Sequence, residues 1–472
     1  MYLKTFTIEN VKSFGEPLTI NFEDKIDGKK VIRRWNVIVG ENGTGKSTLL
    51  QAIAIALMGD DVANRLRGPQ GWVRLGAPRG QISAQILAGK SDKYTGEGTP
   101  SKTPYETKLA ITGEQEVEVN GVVENAPKIV FDGDKKKLNT LKLGPWNQKP
   151  GMGWLAAGYG PFRRLSGGSQ DAFKFITYAK KDARFITLFR EDAALEDIQD
   201  WLKEKDHRSK SDDRSGARAR RLLEMVTNIV NHLLPEGVSL AQVSPSGVFF
   251  NTPYGKNLPM NELSDGYRSM LALAGDLLHR MDDSFESLDE WIDADGTITA
   301  AGVVLIDELD AHLHPIWQRE IGFWLQEKFP NLQFIVATHS PFIAQAADAH
   351  GIFVLRQKDL PNGTKSTQVW QDEDSVRGWR AEQILAVLFD LSGTRSLEAE
   401  KMIRRHAELA AKRKSKSLSD DDEKLYQESD EWIKQYLSPP GDTPDEIRKY
   451  QQIQKELDEL LSPTPMAGKR HA

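Results

Sequence analysis

The stretch GENGTGKST, residues 40–48, satisfies the pattern G-x-x-x-x-G-K-[ST] and follows the apolar run NVIVG. The run before it predicts a buried strand, and STLLQAIAIALMG after it predicts a buried helix that ends at Gly59. Glycines in such a loop allow main-chain N–H groups to surround phosphates. The stretch therefore predicts a strand, a phosphate-binding loop and a helix, which together form the centre of an α/β nucleotide-binding domain.

Each polar residue of this loop, called the P-loop below, has an expected role. Lys46 should reach the β and γ phosphate oxygens, and the Ser47 hydroxyl should ligate Mg²⁺. The predicted nucleotide contacts are Gly40, Glu41, Asn42, Gly43, Thr44, Gly45, Lys46, Ser47 and Thr48. A glycine loop that only turns the chain is the plainer alternative, and the agreement of pattern with strand-to-helix context disfavours it. The predicted cofactors are ATP and Mg²⁺.

A second motif, GVVLIDELDAHLHP at residues 302–315, places two carboxylates directly after an apolar strand. Open α/β sheets bind ligands at the carboxyl ends of their strands. We expect Asp307 to hold Mg²⁺, often through water, and Glu308 to act as general base toward the attacking water. A solvated turn would also carry adjacent acids, but the P-loop in the same chain favours the catalytic interpretation.

The following predicted strand ends in ATHS, residues 337–340, so His339 should emerge at the same sheet edge. We expect His339 to contact the γ-phosphate and the attacking water as a catalytic residue. His312 and His314 raise the alternative of a separate metal pair. Their i, i+2 spacing before Pro315 does not fit one helical face, so a loop is the preferred interpretation.

A third feature is NELSDGYRSMLALAGDLLHRM, residues 261–281, in which a polar turn precedes a helix with apolar residues every three or four positions. A helix that begins beside Gly266 offers unpaired N–H groups and a positive dipole end, which favour an anion such as phosphate. One nucleotide hardly needs this feature and the P-loop from a single chain.

Composition narrows the class of protein. The 472 residues suffice for two or three structural units, and the absence of cysteine excludes disulfides and thiolate sites. No signal peptide or membrane span is readable, so a cytoplasmic location is expected and a membrane partner is not. The formal net charge is −6, so nucleic acid would have to bind to local basic patches.

The chain is predicted to contain four regions. Residues 1–160 combine the P-loop with an antiparallel β subregion, and residues 161–260 form a short helical insertion. Residues 261–370 return to α/β alternation and carry the acidic motif and His339, and residues 371–472 are a charged helical region suited to docking a partner. The predicted fold class is α/β.

The P-loop, LSDGY at 263–267, Asp307-Glu308 and THS at 338–340 together resemble an ABC-type ATPase head of the RecF/SMC clade. In that family the signature loop of one subunit caps the γ-phosphate held by the P-loop of another. The resemblance therefore implies a head-to-head homodimer around ATP, with Ser264 and Gly266 binding in trans. Asp265 departs from the family's usual glycine, which brings an acid close to the triphosphate.

Three assignments stay open. The stretch RLSGGSQDA at 164–172 is nearer the usual signature letters, but Ser166 lies far upstream of Asp307, whereas the family places the signature shortly before the acidic motif. Arg163 and Arg164 could lie near the nucleotide or on an ordinary salt-bridged surface. The glutamine loop of the family is not readable, and Gln81 and Gln85 are weak candidates.

Longer stretches narrow the resemblance. GYGPFRRLSGG, ITLFREDAALEDIQDWL and GWRAEQILAVLF are similar to stand-alone ATPases encoded beside small HNH nucleases, such as the PtuA-like ATPases of the Septu anti-phage system. That similarity implies a homo-oligomer of head dimers that controls an HNH-type nuclease on a separate chain. Ser264 follows Lys46 by only 218 residues, which leaves no room for long SMC-type arms.

Two other functions are weighed against a defence ATPase. A RecF-like DNA repair ATPase would bind DNA, and the residues that suggest it are Arg208, Lys210, Arg214, Arg218, Arg220 and Arg221. A solvated helix face would show the same basic cluster. A transporter-type motor is disfavoured because no membrane span is readable.

Overall fold

A computed structural model describes residues 1–436 apart from short gaps. The gaps are 67–70, 96–97, 120–121, 148, 164–167, 170–181, 196, 235, 294, 362, 373–374, 392 and 416–417. Most of the upstream signature-like stretch at 164–172, including Arg164 and Ser166, lies outside the described residues.

The described strands alternate with helices in chain order. The strands are β1 Tyr2–Glu9, β2 Leu18–Asn21, β3 Glu23–Ile26, β4 Lys29–Ile32, β5 Trp35–Gly40, β6 Arg79–Leu87, β7 Tyr105–Val119, β8 Val122–Phe131, β9 Leu155–Tyr159, β10 Ser239–Ser244, β11 Gly247–Thr252, β12 Gly255–Pro259, β13 Gly302–Ile306, β14 Leu332–Ala337, β15 Ile352–Asp359 and β16 Lys365–Asp372. The α-helices are α1 Lys46–Met58, α2 Asp60–Arg65, α3 Lys135–Leu143, α4 Ile186–Phe189, α5 Asp197–Ser209, α6 Arg214–Leu233, α7 Asp265–Ser284, α8 Pro315–Lys328, α9 Pro341–Ala344, α10 Ala381–Leu388, α11 Leu397–Ser415 and α12 Asp420–Tyr436.

The central sheet has six strands in the order β16-β15-β5-β14-β13-β9. All neighbours pair in parallel except β15 and β16, which form an antiparallel hairpin. Its register pairs Ile306 with Val336, and Ala337 with Ile38. The carboxyl ends of β5, β13 and β14 therefore meet at one edge, where the P-loop, Asp307 and His339 follow their strands.

Both faces of this sheet are buried. Val303 and Leu305 of β13 pack in one apolar cluster together with α1, whereas Val304 and Ile306 pack in a second cluster with α7. A strand whose alternate residues enter different cores must be apolar throughout, as this one is. Helix α1 is apolar on nearly all sides because it is buried on nearly all sides.

Antiparallel sheets flank this layer. One has the order β2-β1-β6-β7-β8, and a second has the order β10-β11-β12. Helices α5 and α6 occupy the predicted helical insertion, and further helices follow β16. The predicted fold class, an α/β P-loop head with an antiparallel β subdomain, a short helical insertion and a C-terminal helical region, is confirmed.

Contacts divide the chain into two compact units, Met1–Asp390 and Leu391–Ala472. The division predicted between residues 370 and 371 falls inside the first unit, because β16 and α10 pack with the rest of the head. The first three predicted regions form one unit by this measure, since the sheet joins strands from the beginning and end of the head.

The second unit contains the helices α11 and α12, which run antiparallel. His406 stacks on Tyr426 with ring centroids 4.6 Å apart, and Arg413 pairs with Glu423 at 3.2 Å. The Ser429 hydroxyl is buried at the contact and lies 3.2 Å from His406 Nδ1. Among the described helices of the chain, none is long and apolar enough to cross a bilayer.

Candidate nucleotide-binding site

The P-loop has a backbone that its glycines make accessible. Gly40, Gly43 and Gly45 have φ of 152°, 81° and 99°. A Cβ on Gly40 would lie 2.6 Å from the Leu355 carbonyl oxygen, and one on Gly45 would lie 2.5 Å from the Ser13 hydroxyl. Glycine is therefore required at positions 40 and 45 for both conformation and space.

Lys46 lies against the loop that it follows. Its ammonium donates to the carbonyl oxygens of Gly40 at 2.9 Å and Glu41 at 3.1 Å. Burial lowers the pKa of Lys46, and the negative charges of Asp307, Glu308 and Asp310 oppose that shift. The ammonium thus lies within the field of the acidic motif, where a phosphate could take the place of the carbonyl acceptors.

The rest of the P-loop is arranged around these contacts. The Thr44 hydroxyl donates to the Glu41 carbonyl at 2.8 Å and is buried. Asn42 and Gly43 are exposed at the loop tip, and Ser47 is exposed in the first turn of α1. Thr48 is buried, which suits packing better than direct contact with a ligand.

Asp307 follows β13 and is nearly buried. Its Oδ1 has no hydrogen-bond partner among the described residues. Burial raises the pKa of the Asp307 carboxyl, the charge of Glu308 adds to the rise, and a hydrogen bond from Ser47 together with the charges of Lys46 and Arg163 opposes it. A buried carboxylate oxygen without a donor, beside a serine hydroxyl, fits a Mg²⁺ site.

No cluster of three or more histidine, aspartate and glutamate side chains in the described part of the chain could hold a metal ion. The predicted ligands Ser47 and Asp307 would therefore supply only part of an octahedral shell, and phosphate and water would supply the rest. His314 caps α8, accepting from the Ile316 N–H at 3.4 Å, and His312 has a left-handed backbone with φ 65°.

Glu308 has a left-handed backbone, with φ 46°, directly after the strand. This conformation costs a residue with a Cβ roughly 1–2 kcal/mol. Glu308 is partly exposed, unlike the buried Asp307. The two adjacent acids therefore have different surroundings: one is enclosed, as suits a metal ligand, and the other is accessible to water, as suits a general base.

Asp310 joins the acidic motif to the next strand end. Its Oδ1 accepts from the main-chain N–H of His339 at 3.2 Å and from the Thr338 hydroxyl. Burial lowers the pKa of His339, and the charge of Lys46 lowers it further. The charges of Asp310 and Glu308 oppose this lowering. The lowered pKa favours the neutral imidazole, and Asp310 fixes the main chain of His339.

Arg163 is buried at the base of the acidic motif. Its guanidinium donates to the carbonyl oxygens of Gly160 and Asp307, each at 3.1 Å, and to that of Glu308 at 3.2 Å. It also contacts the Ser269 hydroxyl of α7 at 3.3 Å. Burial lowers the pKa of Arg163 to about 10, while the charges of Asp310, Asp307 and Glu308 oppose the shift.

The sequence allows Arg163 to lie either near the nucleotide or on a salt-bridged surface. In the structure Arg163 is buried beside the acidic motif, where it donates to main-chain carbonyl oxygens. The sequence offered one signal, an arginine directly after the glycine-rich apolar stretch GYGPF, but not its partners. Gln81 and Gln85 both lie on β6, where the Gln81 amide lies against Arg79 and Gln85 pairs with Thr5. The glutamine loop stays unassigned.

The signature loop, residues 263–267, opens helix α7. Ser264 is the exposed N-cap residue, with no side-chain cap hydrogen bond. A Cβ on Gly266 would lie 2.9 Å from the His312 carbonyl, so α7 begins in close contact with the loop after the acidic motif. Asp265, the departure from glycine, forms an ion pair with Arg268.

No hydrogen bond or ion pair among the described residues joins the signature loop to the P-loop of the same chain. The structure does bring together the P-loop, Asp307, Glu308 and His339, because β5, β14 and β13 are neighbours in the sheet and their carboxyl ends meet at one edge. The predicted sites thus separate into one assembled group and one exposed helix start.

The family described as "AAA domain, putative AbiEii toxin, Type IV TA system" matches residues 35–344, which is more than half of the chain. The Septu protein PtuA of Bacillus mycoides (strain KBAB4) is 26% identical over 358 residues, covering 75% of this chain and 40% of that protein. The chain therefore spans less than half the length of that relative.

A retron Vc95 probable ATPase of Vibrio cholerae serotype O1 biovar El Tor is 23% identical over 378 residues, covering 69% of this chain and 70% of that protein. Among solved structures, an Smc head bound to the C-winged helix domain of ScpA is similar at a TM-score of 0.45 and 17% identity, covering 79% of this chain and 98% of that one.

The predicted resemblance to ABC-type ATPases and to PtuA-like proteins is confirmed by these matches. The residues matched by the family begin with β5 and end with α9, so they contain the P-loop, the signature loop, Asp307, Glu308 and His339. The chain belongs to the family of ATPase domains described as "AAA domain, putative AbiEii toxin, Type IV TA system".

Proposed function

We propose that this chain binds ATP with Mg²⁺ and hydrolyses the bond between the β and γ phosphates at a site formed by two heads. We further propose that it is the ATPase subunit of an anti-phage defence complex and controls an HNH-type nuclease. The observation that carries the catalytic part is the juxtaposition of Lys46, Asp307 and His339 at one sheet edge, with Asp307 Oδ1 buried and without a donor. The matches to PtuA and a retron ATPase support the defence role.

The residues divide the chemistry among them. The P-loop N–H groups and Lys46 would bind the phosphates, and Asp307 with Ser47 would hold Mg²⁺. Bound Mg²⁺ would withdraw charge from the phosphate oxygens. Glu308 would orient the attacking water and accept its proton, and neutral His339 would donate a hydrogen bond toward the γ-phosphate.

The exposed position of the signature loop is suited to binding the nucleotide of a second copy of the head. Its N-cap residue Ser264 is exposed and makes no side-chain cap hydrogen bond, so the first turn of α7 can present N–H groups to an anion from outside. We infer that Ser264 and Gly266 contact the γ-phosphate held by a second copy. Hydrolysis would then be slow unless two heads meet, because each site is completed by the other chain.

The replacement Glu308→Gln tests this proposal. It removes the general base and leaves the Asp307 and Lys46 contacts, so ATP should stay bound while hydrolysis falls at least about a hundredfold. In the presence of ATP and Mg²⁺ the variant should elute as a stable dimer in size-exclusion chromatography with light scattering. Lys46→Ala is the control and should lose nucleotide binding. A Glu308→Gln chain that stays monomeric while binding ATP would contradict the head-dimer proposal.

The nuclease partner is tested by co-purification. A tagged full-length chain, expressed from its native operon, should bring down a small nuclease in stoichiometric amount, identified by mass spectrometry. Recovery of DNA alone, or of the ATPase alone, would contradict the proposed nuclease partner and favour the DNA repair function.

The structure weakens the observation behind that alternative. Arg208 pairs with Glu204 at 2.7 Å, and Lys210 pairs with Asp206 at 2.8 Å. Arg218 lies 3.9 Å from carboxylate oxygens of Asp289 and Glu290. Arg221 lies 3.9 Å from a carboxylate oxygen of Asp289. Four of the six basic residues thus have acidic neighbours within the chain, which lowers the positive potential that phosphate contacts need. DNA remains the alternative partner to test.

A further inference from the structure

Two side chains of the β15–β16 hairpin, which lies outside the family-matched residues 35–344, reach the P-loop. Thr367 of β16 donates its hydroxyl to the Thr44 carbonyl at 2.8 Å, and Gln357 of β15 donates its amide to the Gly43 carbonyl at 3.2 Å. Gln357 and Thr367 pair directly across the hairpin, so their side chains project from the same face. The hairpin therefore presents two donors to consecutive peptide groups of the loop.

These contacts fix the direction of the peptide groups. The structure contains no cis peptide bond in its described residues, so each carbonyl points opposite to the N–H of the next residue. A Thr44 carbonyl directed at Thr367 turns the Gly45 N–H away from the hairpin. The same relation links the Gly43 carbonyl, bound by Gln357, to the Thr44 N–H, which donates to the Glu41 carbonyl at 3.3 Å and closes the turn of the loop.

Thr367 is well placed to hold its acceptor. It is 2% exposed, and its own N–H donates to the Ser13 carbonyl at 2.9 Å. The Ser13 hydroxyl is a second, longer donor to the Thr44 carbonyl, at 3.4 Å. The shorter of the two hydrogen bonds to the Thr44 carbonyl comes from Thr367. If the Thr367 hydroxyl were removed, only the longer bond from Ser13 would remain.

The hairpin also supports the loop from beneath. Ser366 Oγ accepts from the Gly15 N–H at 3.0 Å and so fixes the turn that carries Phe14. A Cβ on Gly45 would lie 3.0 Å from the Phe14 ring. A Cβ on Gly40 would lie 2.6 Å from the Leu355 carbonyl oxygen of β15. Both ends of the P-loop therefore contact elements that β15 and β16 hold in position.

We propose that Thr367 and Gln357 are positioning residues for the nucleotide phosphates. By binding the Thr44 carbonyl, Thr367 directs the Gly45 N–H toward the phosphate side of the loop. By binding the Gly43 carbonyl, Gln357 holds the turn that the Thr44 N–H closes on the Glu41 carbonyl. This inference rests on the proposed function, because it needs the P-loop to bind nucleotide. Preorganised N–H donors bind an anion more tightly than donors that must first be oriented. The hairpin thus sets affinity without touching the ligand.

The test measures the dissociation constant of ADP with Mg²⁺ by isothermal titration calorimetry on the full-length chain. Thr367→Val keeps the shape but removes the donor, and it should weaken ADP binding about three- to tenfold. Thr367→Ser restores the hydroxyl and should restore affinity. Thr107→Val is the matched control, because Thr107 is also a buried strand residue whose hydroxyl donates to a main-chain carbonyl, that of Ala84 at 3.5 Å.

A merely structural role would give a different result. It would lower the melting temperature of the ligand-free Thr367→Val chain and leave the dissociation constant, measured well below melting, unchanged. If Thr367→Val does not fold, Gln357→Ala tests the same idea, since Gln357 is exposed, and it should weaken ADP binding about twofold or more. Unchanged affinity in the folded variants would overturn the inference.

The two proposals fail in distinguishable ways. A wild-type chain that binds no ADP, with Lys46→Ala indistinguishable from it, would remove the proposed function. A wild-type chain that binds ADP and loses it in Lys46→Ala, but not in Thr367→Val or Gln357→Ala, would remove only the positioning role of the hairpin.

Discussion

The guanidinium of Arg163 donates to the main-chain carbonyl of Asp307 at 3.1 Å, so a buried cation from the end of β9 supports the backbone of the acidic motif. The same group contacts Ser269 of α7. Arg163 therefore connects the helix that opens with the signature loop to the loop that carries Glu308.

Arg163→Ala should destabilise the chain by roughly 2–4 kcal/mol, because it leaves several buried carbonyl acceptors without a donor. Urea unfolding followed by circular dichroism measures the loss. Arg208→Ala is the control, since its exposed ion pair with Glu204 should contribute less than about 1 kcal/mol. Equal stability of the two variants would contradict the supporting role of Arg163.

Asp307→Asn is expected to stabilise the nucleotide-free chain at pH 7 by roughly 0.5–2 kcal/mol while abolishing hydrolysis. The folded pKa of Asp307 is raised by burial, so the stability linked to this carboxyl is fully present below its unfolded pKa and is lost as pH rises through the folded value. The advantage of the asparagine variant should therefore shrink as pH falls below the folded pKa.

Thermal unfolding of Asp307→Asn and wild type between pH 7 and pH 4, without nucleotide, measures that difference. Asp310→Asn serves as a comparison, because Asp310 is partly exposed and already accepts from Thr338 and His339. A stability difference for Asp307→Asn that grows toward low pH would have the wrong sign and would contradict the assignment.

Local patterns predicted the elements that carry the chemistry. The apolar runs before Gly40, Asp307 and His339 are the strands β5, β13 and β14, because a parallel strand buried on both faces is mostly apolar. The two polar exceptions in these strands, Asn36 and Gln333, are buried and hydrogen-bonded to main-chain groups. The helix predicted after the turn at Gly266 is α7, Asp265–Ser284. The order of strands that places these ends together could not be read from periodicity alone.

The hydrogen bonds that hold the acidic motif and the P-loop in place could not be predicted from local sequence patterns. Arg163 donates to the Asp307 carbonyl, 144 positions later in the sequence. Thr367 donates to the Thr44 carbonyl, 323 positions earlier in the sequence. Such pairs depend on which strands become neighbours, and an arginine or threonine has the same letter whether it is buried or solvated. The boundary predicted between residues 370 and 371 differs from the observed one for the same reason. Strand β16 belongs to the head because it pairs with β15, and that pairing is not visible in the local sequence.

Glu308→Gly is expected to unfold at a higher urea concentration than Glu308→Gln. The free energy of unfolding of the glycine variant should be higher by about 1 kcal/mol. Glutamine keeps a Cβ in the left-handed backbone at φ 46°, whereas glycine adopts that conformation without the steric penalty. Both variants lack the general base, so hydrolysis does not distinguish them. Equal midpoints with equal slopes would show that the backbone at Glu308 carries no measurable strain.

Asp265 and Arg268 give the last prediction, which rests on the proposed head dimer. The Asp265 carboxylate is paired with Arg268 one turn later, which offsets the acid that replaces the family's usual glycine. Arg268→Ala would leave that carboxylate unpaired near the phosphate of the second head. We expect ATP-dependent association to weaken about threefold or more, because like charges oppose each other across an interface.

The measurement is the dimer dissociation constant by analytical ultracentrifugation, in a Glu308→Gln background with ATP and Mg²⁺. Adding Asp265→Gly to Arg268→Ala should restore association, since it removes the carboxylate that the arginine offsets. The loss in Arg268→Ala alone should also diminish as salt is raised, because exposed charges are screened. A double variant as weak as Arg268→Ala would instead mean that Arg268 contacts the second head directly.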